Sequence, residues 1–502
     1  MKFVVKDMNI ATGGPFIATL NEWDAERLDL HCGDRVRIQR GRRHTTAVVD
    51  VASERAVKKG RVGLFQEVID VLGARNGDPA ELRIEQKPKS VYYIKKKMDG
   101  EHLKAAEIDA IVHDIVANKL TDIELTYFVG ASYTGIMSFS ETVALTKSMI
   151  RNGDILKIRK YPIVDKHCIG GVPGNRTTMI IVPILAAAGL TVPKTSSRSI
   201  TSPAGTADTM EVLAGVTFSV HDIRRIVKKT GACMVWGGAI NLAPADDKII
   251  RVEHPLSIDS RSQLLASIIA KKASVSATHL LVDIPVGTGA KIEKRHTALK
   301  LGSQFVRIGK SVGIKVRVMI TDGSAPIGNG LGPALEARDV LYVLQNNPNM
   351  PPALMRKSVR MAGNMLEMAG KAARGKGEAM AKEILVSGRA YRKFVEIVRE
   401  QGGRIPEKIM IGKHNFTVAS KRDGRISNIS NKYVARVARL AGAPADKGAG
   451  LYIHRQKGGI VRKGDLLCTV YSNSPDRLRF AKALTREKTL FVIKDGQHLE
   501  KL

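Results

Sequence analysis

Aromatic residues are scarce in this chain: Phe, Trp and Tyr make up 5% of its 502 residues. The stacking platforms of single-strand RNA readers are therefore not expected, and neither an RNP-type pattern nor a zinc finger occurs. Cysteine is scarcer still. Cys32, Cys168, Cys233 and Cys468 lie far apart and form no C-x-x-C. Structural disulfides are not expected, and a reducing cytoplasm is the expected location. Long apolar runs are missing. The longest, from Met179 to Val192, is short and contains Pro183 and Gly189, which marks a core segment and not a membrane span. The opening MKFVVKDMNIATGG has neither the apolar stretch nor the cleavage pattern of a secretory leader.

Several nucleotide and metal signatures are also missing. No G-x-x-x-x-G-K-S/T loop occurs, Gly328-Asn329-Gly330-Leu331-Gly332 fails the dinucleotide spacing, and zinc spacings such as H-E-x-x-H are absent. Kinase, dehydrogenase and metalloprotease chemistry is disfavoured, and no metal or cofactor is expected. Acidic residues are outnumbered: 80 Lys+Arg against 48 Asp+Glu leave a net charge of +32. Residues 351–502 hold 32 Lys+Arg and 13 Asp+Glu, so +19 of that charge lies in the last third. A basic surface favours anionic ligands. Because the excess lies away from the Gly-rich loops, it reads as a solvated face, with no specific nucleic-acid partner.

What is present is a change of pattern along the chain. Residues 1–85 alternate in short pieces such as Arg35-Val36-Arg37-Ile38 and predict a small β-rich unit. Gln86 to Ser90 is the expected linker. Residues 86–155 read as helices, with a capping box at Thr121–Glu124 and Ser140 as the cap of the next helix. Residues 156–350 alternate strand, Gly-rich turn and helix. The expected strands are Pro162–Val164, Thr191–Thr195, Cys233–Trp236, His279–Ile284 and Lys315–Thr321; the expected helices include Thr177–Ala188 and Ser219–Thr230. That alternation predicts an α/β sheet with ligands beyond the strand carboxyl ends. Residues 351–409 read as a helical segment and 410–502 as a separate α+β unit.

The run Lys166–Asp208 is chemically dense. Lys166-His167-Cys168-Ile169-Gly170-Gly171 and Ser196-Ser197-Arg198-Ser199-Ile200-Thr201-Ser202, with Gly205-Thr206 behind, flank one apolar segment. Glycines let backbone N–H groups approach an anion, while hydroxyls and cations supply further donors. Taken singly, each Ser or Thr reads as a helix cap. As a set with Lys166 and Arg198, they predict sites for two phosphates. Farther on come Asn241-Leu242-Ala243-Pro244-Ala245-Asp246, then Arg251, Asp259, and Ser267 with Lys271 one turn later on the same helix face. Gly287-Thr288-Gly289-Ala290-Lys291 closes another strand, bringing Lys291 toward the same pocket.

The combination of KH-x-x-GGV, S-x-R followed by G-T-x-D, NLAPAD and V-G-T-G-A resembles the thymidine and pyrimidine-nucleoside phosphorylase family over roughly residues 90–500. The resemblance implies an α/β fold: a helical domain plus an α/β-sheet domain of nucleoside-phosphorylase type, with small β-rich N-terminal and α+β C-terminal units. Three departures stand out. Cys168 occupies the place of a phosphate-binding Ser, Pro173-Gly174-Asn175 lengthens the first loop, and an extra unit precedes the core. Together they resemble the archaeal branch whose members act on AMP. That implies phosphorolysis of a nucleoside 5′-monophosphate (AMP, with CMP and UMP also expected) to free base and ribose 1,5-bisphosphate. The implied phosphate ligands are Lys166, Thr178, Ser196 and Thr206. The implied nucleotide contacts are Gly171, Ser197, Arg198, Ser199, Ile200, Thr201, Ser202, Thr206, Ser267 and Lys291.

Asp259 is the implied proton donor to the leaving base, with His167 a lower-ranked acid. Arg251 and Lys271 match positions that read a pyrimidine. Inorganic phosphate is a substrate, not a cofactor, and a homodimer or larger homo-oligomer is implied. A phosphorylase for unphosphorylated pyrimidine nucleosides and a basic nucleic-acid-binding protein remain the alternatives.

Overall fold

The computed structural model describes residues 1–494 apart from 136, 159, 160, 200, 201, 241, 257 and 259; the side chains of 239, 254 and 256 are also excluded. The chain forms two compact units. One comprises Met1–Asp154 with Ala243–Lys271, and the other Ile155–Leu242 with the chain from Lys272 onward. The helical unit thus includes a segment that lies within the stretch read from sequence as α/β.

In the first unit, six strands close into a barrel of order β1-β5-β2-β4-β3-β6: β1 Lys2–Asp7, β2 Ile17–Asn21, β3 Arg35–Arg40, β4 Arg43–Ala52, β5 Arg61–Leu64 and β6 Pro79–Glu85. Alternation drives it. Phe3 and Val5 point inward from β1 while Lys2 and Val4 face out, and Val36, Ile38, Leu64 and Leu82 complete the core. Short helices α1 (Glu22–Arg27) and α2 (Gln66–Leu72) accompany the barrel. Arg35 departs from the apolar pattern. It is buried, pairs with Glu124, and donates from Nε to the Lys119 carbonyl at 2.7 Å.

Glu124 belongs to a bundle of α3 (Lys89–Met98), α4 (Ala105–Val116), α5 (Asp122–Thr134) and α6 (Phe139–Arg151), joined by α10 (Pro244–Leu256) and α11 (Arg261–Ser274). Part of the expected linker is therefore the first turn of α3. Thr121 and Glu124 form the expected capping box. The cap of α6 is Ser138 and not Ser140, because Glu141 stands three residues after Ser138 and completes a second box.

In the second unit, strands β7 (Val164–Cys168), β10 (His279–Val286) and β11 (Lys315–Asp322) run parallel in the order β11-β10-β7. Strands β8 (Val192–Ser196) and β9 (Ala232–Trp236) form a parallel pair, connected to β7 by a bridge between Ile163 and Thr191. Helix α7 (Thr177–Ala187) is apolar on every side beyond its two leading threonines and buried from Thr177 to Ala186, so it has no solvent face to pattern. Helices α8 (Thr206–Met210), α9 (Val220–Thr230) and α12 (Arg295–Ser311) complete the alternation, and α13 (Pro333–Leu344), α14 (Pro352–Met368), α15 (Gly377–Val386) and α16 (Arg389–Glu400) follow. Ile181, Leu185, Leu341, Met365 and Phe394 share one core. The C-terminal part holds two small antiparallel sheets with helices at Asn431–Leu440 and Pro475–Glu487. No described helix is long and apolar enough to cross a membrane.

Candidate functional site

Strand β7 itself carries Lys166, His167 and Cys168. Sequence reading placed them beyond a strand ending at Val164, but β7 pairs with β10 through Cys168 opposite Asp283. Lys166 is 3% exposed, and its Nζ donates to Thr177 Oγ1 at 2.9 Å. Burial pushes its ammonium below the ordinary lysine value, opposed by the Asp283 carboxylate and reinforced by Lys357 and Arg176. Asp283 accepts from Thr321 Oγ1 at 2.6 Å and pairs with Lys357 at 2.9 Å. Although burial opposes ionisation, Lys357 and Lys166 hold its carboxyl below the usual range. Burial raises the Cys168 thiol, so it meets its surroundings as a neutral group, with Asn175 Nδ2 donating to Sγ at 3.3 Å.

Gly170 and Gly171 turn the chain out of β7 with φ of 92° and 89°, a region open to glycine. At Gly171 a Cβ would stand 2.4 Å from the Lys291 backbone nitrogen. The first Gly-rich loop therefore packs against the Gly287–Lys291 loop backbone to backbone, and the expected convergence of Gly171 and Lys291 is a direct contact.

Arg176 links the first loop to the second. Its Nε pairs with buried Glu336, Nη1 donates to Thr206 Oγ1 at 3.0 Å, and Nη2 donates to the Ala204 carbonyl at 2.9 Å. Because Thr206 Oγ1 accepts from Arg176, its own hydroxyl proton is available to another acceptor. Thr178, in the first turn of α7, is buried.

The second loop is tied mainly to itself. Asp208 accepts from the backbone of Ser199 (2.7 Å) and Gly205 (2.8 Å). Ser199 Oγ donates to the Ser202 carbonyl, Ser202 Oγ to the Ala204 carbonyl at 3.0 Å, and Ser196 Oγ to the Val235 carbonyl at 3.4 Å. Arg198 was read as an anion donor; here its guanidinium forks onto Glu211 at 2.6 and 2.8 Å, touches Asp208 at 3.3 Å, and lies 5.0 Å over the Trp236 ring. Arg198 pulls the Glu211 carboxyl down to about 2, aided by Lys447. Ser197 lies within the same loop. Ile200, Thr201 and Asp259 lie outside the described residues.

In the other unit, Ser267 and Lys271 are half-buried on α11. Lys271 Nζ sits 2.5 Å from Asp246 and 3.5 Å from Asp247, which keep it charged against the penalty of burial. Arg251, on α10, pairs with Asp122 at the start of α5, and its guanidinium packs on Gly14, where an added Cβ would have to displace it.

Sequence reasoning gave no role to Arg176, Glu336, Asp283 or Lys357. Arg176 sits at the end of the lengthened loop and was within reach of that argument. The other three are far apart in the chain and carry no local signal. Asp208 was part of the quoted G-T-x-D pattern, which did not disclose that it clasps the loop.

Comparisons with known proteins match these parts. Residues 91–153 match the glycosyl transferase family helical bundle domain, 160–391 the glycosyl transferase family a/b domain, and 425–491 the pyrimidine nucleoside phosphorylase C-terminal domain. The solved anthranilate phosphoribosyltransferase of Thermus thermophilus aligns with a TM-score of 0.52 at 19% identity, covering 62% of this chain and 99% of that one. That likeness concerns the fold. AMP phosphorylase of Pyrococcus furiosus is 46% identical over 97% of this chain and 96% of its own length. AMP phosphorylase 1 of Archaeoglobus fulgidus is 47% identical over 97% and 96%, and AMP phosphorylase of Methanococcus maripaludis 42% identical over 100% and 98%. These alignments run through the N-terminal barrel as well as the phosphorylase core, and the chain belongs to the AMP phosphorylase family.

Proposed function

We propose that this protein catalyses phosphorolysis of AMP: AMP and phosphate give adenine and ribose 1,5-bisphosphate. The bond from C1′ to the base nitrogen breaks, and a phosphate oxygen takes its place on C1′. The base leaves with the bonding pair and gains a proton. Phosphate arrives already anionic, so it needs positioning more than deprotonation. Lys166, Thr178, Ser196 and Thr206 serve that role, and Gly171, Ser197–Ser202, Ser267 and Lys291 contact the nucleotide. A dianion beside Lys166 favours the charged form that burial opposes. Asp259 supplies the proton, which requires a carboxyl raised above its ordinary value of about 3.9.

The observation that carries this reading is the Arg176 bridge, which leaves Thr206 a donor, in a chain alignable end to end with AMP phosphorylases. CMP and UMP are further expected substrates, no cofactor takes part, and the working form is a homo-oligomer in the cytoplasm. The test is release of free base from AMP, CMP, UMP, adenosine and uridine, with and without phosphate. Phosphate-dependent release from AMP, lost in Asp259→Asn, is expected. Equal turnover of adenosine and uridine would favour the nucleoside phosphorylase alternative.

A further inference from the structure

Gln263 has no assigned role, and its state is unusual. It is 2% exposed, and among the described residues neither Oε1 nor Nε2 has a hydrogen-bond partner. Buried side-chain amides are normally satisfied, because a closed-off donor or acceptor left unpaired loses its bonds to water and gains none in return. An apolar side chain would avoid that cost. Its position on the helix adds a second observation. Gln263, Ser267 and Lys271 stand four residues apart in succession on α11. At 3.6 residues per turn, each step of four turns by about 40°, so all three share one face within an arc of about 80°. Ser267, at the centre of that face, is half-exposed.

We propose that Gln263 is a specificity residue that reads the adenine of the substrate through its carboxamide. Adenine presents an exocyclic amino donor beside a ring-nitrogen acceptor. A carboxamide offers the complementary pair, with Oε1 accepting from the amino group and Nε2 donating to the ring nitrogen. The ligand supplies the two partners that the described residues withhold. This inference rests on the proposed AMP phosphorolysis, in which the face of α11 bearing Ser267 meets the nucleotide. It also answers a difficulty there: Arg251 and Lys271, the positions that read a pyrimidine, are each paired with aspartates of their own unit.

The test uses Gln263→Met, of similar length and apolar, and Gln263→Leu as a second variant. Wild type and variants are compared in both directions: KM for AMP forward, KM for adenine and for ribose 1,5-bisphosphate in reverse, with thermal midpoints of the free proteins. Expected are KM values for AMP and adenine raised about ten- to a hundredfold, KM for ribose 1,5-bisphosphate within twofold, and a thermal midpoint unchanged or higher. A merely structural amide predicts the opposite: a lower midpoint and equal losses for every substrate, which overturns the proposal. Unchanged KM for adenine in an active variant overturns it alone. No adenine release by the wild type overturns the reading of the site, and this inference with it.

Discussion

Removing the Arg176 guanidinium tests the join between the two anion loops. In Arg176→Ala, Glu336 loses its ion-pair partner while remaining 1% exposed. Its carboxyl must then stay charged and unpaired or take a proton. Protonation sets a ceiling on the cost. Taking up a proton against an ordinary glutamate value of about 4.3 costs about 1.4 kcal/mol per pH unit, hence about 4 kcal/mol at pH 7 and about 1 kcal/mol at pH 5. Breaking a buried pair from one side costs about 3–5 kcal/mol by a separate route, so the two figures agree. The sign follows from linkage. Burial already raises this carboxyl, against the pull of Arg176, and the variant loses that pull. Its folded-state value rises further above the unfolded one, so stability is present below the unfolded value and lost as pH climbs.

Urea unfolding at both pH values should therefore show a larger penalty at pH 7 than at pH 5. Arg176→Ala with Glu336→Gln should recover most of it. Phosphate KM should also rise, because Thr206 Oγ1 loses the donor that sets its polarity. A penalty identical at both pH values refutes the charged pair, and an unchanged phosphate KM refutes the coupling to Thr206.

Gly171→Ala places a Cβ 2.4 Å from the Lys291 nitrogen at a φ of 89°; AMP turnover should fall at least about tenfold, and steady-state kinetics near wild type would contradict the packed-loop geometry. Iodoacetamide at pH 7.5 should label exposed Cys32 first, since burial raises the thiols of Cys168, Cys233 and Cys468, the last two to about 12, and keeps them protonated; peptide mass mapping reads the order. Asp165 is buried between Lys194 at 3.2 Å and Lys272 at 2.8 Å, so Asp165→Asn should cost about 3–5 kcal/mol in denaturant unfolding, more than Lys194→Met alone.

The parts legible in sequence were those with local periodicity or local chemistry. Strands β8 to β11 fall within a residue or two of their expected limits, and α9 begins after Ser219, which caps it. Thr121 disclosed its box because Glu124 stands three residues later. Ser140 as the expected cap failed because the acid that completes the box, Glu141, stands three residues after Ser138. Barrel closure depends on β6 pairing with both β1 and β3, a long-range register that no local pattern encodes. The site divides in the same way. Gly-rich loops and their hydroxyls announce themselves, whereas the capture of Arg198 by Glu211 and Asp208 appears only once the chain has folded back.

The discontinuous make-up of the first unit bears on the order in which the protein emerges from the ribosome. The barrel closes on residues up to Glu85, so its sheet is complete early. The helical bundle is different: Ala245, Ile249, Val252, Ala266 and Ala270 belong to its core. Until Lys271 has been made, the apolar faces of α4 to α6 lack their last covering layer. At ~5–20 residues per second, the chain spends on the order of ten seconds between Asp154 and Lys271 with that surface waiting. Nascent chains stalled in this interval are where chaperone capture should concentrate.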